Sequence, residues 1–533
     1  MKQILYLLLG CLIPFQFLTA KMYSSPERTP VDYVNPYIGN ISHLLVPTYP
    51  TVHLPNSMLR VYPERENFTG NTINGLPLIV TSHRGSSAFN LSPYQGELQK
   101  AGSIIQYGYD NEVIKPYYYS VDLDDDGMYV QYAPSHQSGI YQIDFSQTDK
   151  PAYLIFNTRD GELKTDGKSI SGYQKLGNHT QVYIYLETDQ QPLKIGTHQG
   201  AVIRTTDKST QGHNAYYILE YPKGTASVLL RYGVSFISSE QAKQNLRREI
   251  KNYNLQAVAD KGRSVWNETL GKIFVKGGTE NEKTVFYTSL YRTYERMICI
   301  SEDSRYFSAY DGQVHDDEGI PFYVDDWIWD TYRATHPLRL IIETEMESNM
   351  VNSLIRMAYQ MQPNWMPTFP EINGDSRRMN CNHGVATVLD AYNKGMRSFD
   401  LAKAYQVCKA AITEKTLAPW SSKPAGVLDQ FYKDHGYFPA LAVGEQETVP
   451  EVHSWERRQP AAVTLGTVYD EWCLGNIAQA LGDKKEADYF LKRSLNYHKI
   501  FNKETCFFHP KDSFGNFIQP FDYRYSSGVG GRD

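Results

Sequence analysis

Phe322-Tyr323-Val324-Asp325-Asp326-Trp327-Ile328-Trp329-Asp330-Thr331-Tyr332-Arg333 brings three carboxylates, two indoles, two phenols and a guanidinium into one short stretch. Such residue types suit a sugar. A flat ring stacks on the C–H face of a pyranose, and a carboxylate accepts from its hydroxyls. The same residues also suit an aromatic core corner with solvated acids. The stretch alone does not choose between the two.

The pattern on either side says which elements must hold it. Thr331 to Glu343 recurs at helical spacing with Pro337 inside the run, so the stretch enters a helix. Further helical faces follow in Phe286/Leu290/Tyr294/Met297 and in Met350/Leu354/Ala358/Met361. Others are His383 to Lys394, Asp400 to Glu414, Thr464 to Leu481 (ending at Gly482) and Lys484 to Phe501. That predicts about seven helices from residue 280 onward, with long loops at 299–328 and 415–463. From about 30 to 240 the chain instead alternates with period two. Met128–Tyr132, Gly139–Ile143, Ala152–Phe156, Thr180–Leu186 and Ala226–Tyr232 read as strands. Asp126-Gly127, Asp160-Gly161 and Asp166-Gly167 read as turns. Strand-and-turn spacing without intervening helices predicts an antiparallel sandwich. Ser239-Glu240-Gln241-Ala242 opens a helical linker, and Lys272–Lys276 reads as a last short strand. The expected organisation is a signal peptide over 1–20, an N-terminal β-sandwich over 30–238, a helical linker over 239–279 and a helical domain over 280–533.

A chain of 533 residues exceeds a single core, and its net charge of −6 with no long basic block argues against nucleic acid as the main partner. Its 41 tyrosines suit a carbohydrate-handling surface and a β-rich fold equally. The six cysteines lack CxxC spacing and form no Cys/His cluster; Cys11 lies in the leader, and the remaining five, an odd number, read as buried free thiols. Lys2 followed by a mostly apolar run to Leu18, broken by Pro14, reads as an export signal, giving a periplasmic or secreted product. Leu8-Leu9-Gly10-Cys11 resembles a lipobox and supplies a second reading, a lipid anchor at Cys11. No other run approaches the roughly 18 apolar residues of a spanning helix. Sequons at Asn40, Asn67, Asn90, Asn178 and Asn267 matter only in a eukaryotic host.

Several stretches together carry a resemblance. They are Val34–Gly39, Tyr117–Leu123, Gly233–Ala242 with Asn245-Leu246, and Phe286–Tyr291. Next come Trp329–Arg333 with His336-Pro337, and Asp390-Ala391-Tyr392 with Lys394-Gly395. Tyr469–Trp472 and Phe490–Ser494 with Asn496-Tyr497 complete the set. In this order the chain resembles glycoside hydrolase family 92, the calcium-dependent exo-acting α-mannosidases. The resemblance implies a β-sandwich followed by an (α/α)6 toroid, inverting hydrolysis of mannose-containing glycans (an α-1,2 type), and calcium that helps bind and distort the sugar. The chain departs from the family pattern at Thr81-Ser82-His83-Arg84-Gly85 and at Cys381-Asn382-His383, which leaves the linkage open. A toroid needs about twelve helices, so about seven make an incomplete one. The family's general acid, its base aspartates and most of its calcium ligands are expected past Asp533. The chain is therefore expected to be truncated, without its catalytic residues, and to self-associate through the face an incomplete toroid exposes.

The resemblance places Trp329 and Asp330 in the terminal-sugar pocket, the ring as a wall and the carboxylate as hydroxyl acceptor. The plain alternative is that Asp330 caps a helix starting at Thr331. Asn382 and His383 open a helix and are further sugar-contact candidates, His383 being equally readable as a packing histidine. Arg333 reads chiefly as a structural ion-pair partner. Asp470 and Trp472 read chiefly as packing elements between helices. His83 and Arg84 are candidates for the cleft, and Trp365 is either a subsite ring or a loop anchor. Neither Asp325 nor Asp326 is assigned as a catalyst. Three functions are weighed: the hydrolase, a non-catalytic carbohydrate-binding remnant of the same fold, and a polysaccharide lyase. The lyase needs a basic clamp for acidic sugars, and the acids of 322–333 argue against one.

Overall fold

The computed structural model describes residues 28–524 except 42–47, 66–69, 82–86, 124–126, 148, 178, 380–381, 443 and 523. The signal peptide, Cys11, the sequons at Asn67 and Asn178, His83, Arg84, Cys381 and Gly528–Asp533 lie outside the described residues.

The strands form where the sequence alternates. In β8 (Thr180–Thr188), Val182, Ile184 and Leu186 are buried while Gln181, Tyr183 and Tyr185 face partly outward. The other long strands are β1 (Phe89–Gln95), β2 (Gln106–Lys115), β3 (Tyr118–Leu123), β4 (Met128–Pro134), β5 (Ser138–Asp144), β6 (Ala152–Thr165), β7 (Ser169–Gly177), β9 (Lys194–Gln199), β10 (Ser209–Tyr221) and β11 (Ser227–Ser235). With three short strands they make one sheet, and its pairs are antiparallel, as expected. The sheet branches at β6. Residues Ala152–Thr158 pair with β1, residues Gly161–Thr165 pair with β7, and β10 runs along the other edge. A strand shared in this way joins two layers without breaking the ladder.

Asp160-Gly161 is therefore not a turn but the point where β6 changes partner. A Cβ at Gly161 would lie 1.8 Å from the Tyr173 carbonyl oxygen, so the close approach of β7 requires glycine. Asp166-Gly167 does turn: the Asp166 carboxylate accepts from the amides of Lys168 (2.8 Å) and Ser169 (2.7 Å), and Gly167 has φ +89°.

Helices then cover the sheet. The Ser238 hydroxyl accepts from the Gln241 amide and caps α1 (Ser239–Glu249), which packs on β8 and β11. Helix α2 (Leu255–Leu270) packs across β4 and β5, with Trp266 fully buried and its indole N–H on the His53 carbonyl at 2.7 Å. Lys272–Lys276 forms no strand and leaves α2 as irregular chain.

Beyond come α3 (Glu280–Arg292), α4 (Ile328–Thr331), α5 (Thr335–Ile342), α6 (Thr344–Gln360), α7 (Gly384–Asn393), α8 (Leu401–Thr413), α9 (Val427–His435), α10 (Pro460–Ala480) and α11 (Lys484–Arg493). Nine helices are thus present among the described residues where about seven were expected. The helix expected over Thr331–Glu343 begins only at Thr335, after the separate turn of α4, and Pro337 does not interrupt it. That proline is the third residue of α5, where its missing N–H has no helical partner in any case. Helix α9 lies inside the expected loop 415–463; its nine residues are too few for a periodic signal. Helix α10 packs on α7, α8 and α11, and Val388, Val407, Leu474 and Ile477 share a buried apolar cluster with residues of the sheet. Cys299, Cys408, Cys473 and Cys506 are free thiols, but only Cys408 and Cys473 are buried and Cys506 is exposed. No helix among the described residues is long and apolar enough to cross a membrane.

Candidate functional site

The stretch 322–333 is positioned by a short ladder and by charge. Tyr323-Val324 pairs with Ile298-Cys299, and Asp325 follows with φ +69°. Its buried carboxylate is bridged by Arg296 at 2.6 Å and by Arg60, which reaches across from a strand beside the sheet. The Asp326 amide donates to the Pro370 carbonyl at 2.9 Å. One carboxylate oxygen of Asp326 accepts from the Thr331 hydroxyl (2.9 Å), and the other from Nε2 of His336 (2.8 Å). Nδ1 of His336 lies 2.7 Å from Glu347. Burial pushes the Asp326 carboxyl up, but the cations of His336 and Arg339 outweigh it and hold the group below its ordinary value. For His336 burial alone would lower the pKa; Glu347 and Asp326 raise it to about 9.

This turn presents Trp329 and Asp330. Trp329 is partly exposed, and the guanidinium of Arg333 sits 5.2 Å from its ring centroid and 5.5 Å from that of Tyr332. Asp330 is exposed. Its carboxyl is pushed up by desolvation, which Arg333 opposes and Asp326 reinforces. Asp330 caps nothing: α4 begins at Ile328 and contains it, and the carboxylate that serves Thr331 is that of Asp326.

Two other sequence motifs meet the turn here. The Tyr332 ring lies 4.3 Å from the His383 ring and 6.0 Å from the Tyr469 ring. Asp470 accepts from the Asn382 amide (3.0 Å) and pairs with Nδ1 of His383 (2.6 Å), tying the start of α7 to α10. The Asn382 side-chain oxygen is buried with no partner among the described residues, an acceptor that a water or a hydroxyl would satisfy. Tyr469 and Trp472 stack at 6.2 Å and are 40% and 44% exposed, so Trp472 faces out rather than packing between helices. Glu471 points the other way, to Tyr432 (2.9 Å) and Arg493 (2.6 Å).

Trp365 is a loop anchor: it is buried, with Arg377 at 4.9 Å from its ring. The sequence reading passed over Arg60, Arg296, the His336–Glu347 pair and Glu371. Glu371 is partly buried beside Arg378, and its carboxyl is pushed up by desolvation. Only His336, one helical turn past Tyr332, carried a local signal. A cavity of about 220 Å³ lies away from this site, with Leu54, Glu249, Lys251 and Lys261 among its lining. Among the described residues no group of three or more His, Cys, Asp or Glu is placed to hold a metal ion.

Residues 33–235 match the glycosyl hydrolase family 92 N-terminal domain, and residues 241–532 match the family 92 catalytic domain. A protein of Arthroderma benhamiae described as an uncharacterized secreted glycosidase is 23% identical over 98% of this chain and 68% of its own. Among solved structures, a family 92 inverting mannosidase of Bacteroides thetaiotaomicron superposes with a TM-score of 0.82 at 25% identity, covering 95% of this chain and 70% of that one. A family 92 α-mannosidase of the same organism, bound to mannoimidazole, gives 0.80 at 22% identity over 93% and 67%.

Proposed function

The chain belongs to glycoside hydrolase family 92, a family of α-mannosidases, and on that premise we propose that it is an exported, exo-acting enzyme handling mannose-containing glycans of α-1,2 type by inversion. The observation that carries the reading is the meeting of three distant motifs: Tyr332, from the turn that carries Trp329 and Asp330, packs on His383 and Tyr469, and Asp470 holds Asn382 and His383. Trp329 supplies a face for the pyranose, Asp330 accepts from its hydroxyls, and Asn382 and His383 border the ring's edge.

Inversion needs two carboxyl groups roughly 6.5–9.5 Å apart on opposite sides of the bond, one protonated and one activating water. Asp325, Asp326, Glu347, Asp470 and Glu471 are each committed to a cation or an imidazole. We therefore assign neither role to these five, and we propose that the chain carries the sugar-holding wall without the acid and base. The units proposed are the export signal (1–20), the sandwich (30–238), the helical connector (239–279) and the helical catalytic domain (280–533). Self-association is proposed through exposed apolar side chains toward the C-terminal end, including Trp472, Leu495 and Phe514.

The pairing of every one of those carboxylates favours a second reading, a carbohydrate-binding protein without turnover. A mannose-release assay on α-mannosides, run beside a calorimetric titration with mannobiose, separates the two. Binding without release supports the second reading, release at ordinary enzyme rates supports the enzyme and refutes the reading that this chain lacks its acid and base, and absence of both refutes the pocket.

A further inference from the structure

We propose that His336 is a positioning residue for the sugar wall, holding the turn that carries Trp329 and Asp330 by bridging Asp326 to Glu347 in its doubly protonated form. This rests on the reading that the wall holds a sugar.

The geometry demands two protons. Each ring nitrogen has a carboxylate oxygen within 2.8 Å: Asp326 at Nε2 and Glu347 at Nδ1. A neutral imidazole donates from one nitrogen only, so the other would set a lone pair against a carboxylate. The three side chains are 1%, 0% and 0% exposed, so water does not relieve that opposition. The other charged and titratable groups facing the trio are Arg339, one turn on along α5, and Arg296, Asp330 and Tyr310 around Asp326. Helix α7, also packed on α5, is preceded by His383, whose Nδ1 is already taken by Asp470.

Asp326 links this trio to the site. Its backbone is held by Pro370, one oxygen holds Thr331 at the end of α4, and the other holds the imidazolium. Trp329 and Asp330 lie between those anchors. If the ring loses the Nε2 proton, Asp326 gives up one of its three attachments, leaving the single turn of α4 to the burial of Ile328 and to the Trp327 ring, which stacks on Phe369 at 5.7 Å and lies 4.0 Å from the Arg296 guanidinium. The raised pKa of about 9 keeps the bridge charged at neutral pH.

The test titrates the chain with mannobiose from about pH 7 to about pH 10 and follows hydrogen exchange over 325–333. Expected is an affinity that falls about tenfold or more through the alkaline step. His336→Gln should bind weakly at every pH without that step, and should lose exchange protection over 325–333 but not over 152–165. Glu347→Gln, which removes one anionic partner, should move the alkaline midpoint down by about one pH unit. A pH-independent wild-type affinity, or wild-type binding by His336→Gln, overturns the proposal. If the wild type binds no sugar, the pocket reading fails, and unchanged protection over 325–333 in His336→Gln then overturns the positioning role separately. If His336→Gln does not fold, the exchange midpoint of Glu347→Gln decides, and an unmoved midpoint overturns the proposal.

Discussion

Asp325, Asp326 and Asp330 lie within six residues and are held in three different ways. Asp325 is the buried counter-ion of Arg60 and Arg296, Asp326 anchors a histidine and a helix turn, and Asp330 stands exposed beside Trp329. Removing a partner from a buried ion pair leaves the other charge uncompensated, at a cost of about 3–5 kcal/mol. Asp325→Ala should therefore destabilise the chain by that order in urea unfolding, whereas Asp330→Asn should leave stability within about 0.5 kcal/mol. The His336 pKa is raised from 6.5 to about 9 in the folded state. Its stabilisation is thus fully present below about pH 6.5 and is lost as pH rises through about 9. Asp326, lowered in the folded state, stabilises above its ordinary value and loses that effect as pH falls through the depressed one. Melting temperature should accordingly fall on the alkaline side in the wild type and stay flat there in His336→Gln.

At the scale of elements, β6 decides how the sheet closes. Gly161 sits where β6 leaves β1 and joins β7, and a side chain there would enter the Tyr173 carbonyl. Gly161→Ala should cost about 1–3 kcal/mol or more in thermal unfolding, against little for Gly167→Asn at the open turn. This position also shows what the sequence could and could not tell. Alternation along Thr180–Leu186 reports which side chains are buried, so strands were legible. It does not report pairing, so an Asp-Gly inside a strand looked the same as an Asp-Gly in a turn. Helix α9 was missed for its shortness, and α5 was expected to start at Thr331 because the separate four-residue turn of α4 is too short for a periodic signal of its own. At the site, Trp329, Asp330, Asn382 and His383 were visible as residue types. That Tyr332 touches His383, and that Arg60 meets Asp325 from 265 residues away, depends on chain crossings that local spacing does not encode.

Across the whole molecule, the Arg60–Asp325 pair joins the region of the sheet to the turn that opens the helical part, so the wall is referenced to both. The same scale carries the association prediction. Phe514 at 82% exposure, Leu495 at 56% and Trp472 at 44% are large apolar side chains facing water. Size-exclusion chromatography should show concentration-dependent association that weakens in Trp472→Ser with Phe514→Ser; a clean monomer at all concentrations would contradict it. The central claim concerns the wall itself, and calorimetric titration of mannobiose into the chain and into Trp329→Ala at neutral pH tests it most directly. The account predicts saturable binding by the wild type and a loss of about tenfold or more in the variant, with the fold retained by circular dichroism. Absence of binding by the wild type, or equal binding by a folded Trp329→Ala, would contradict it.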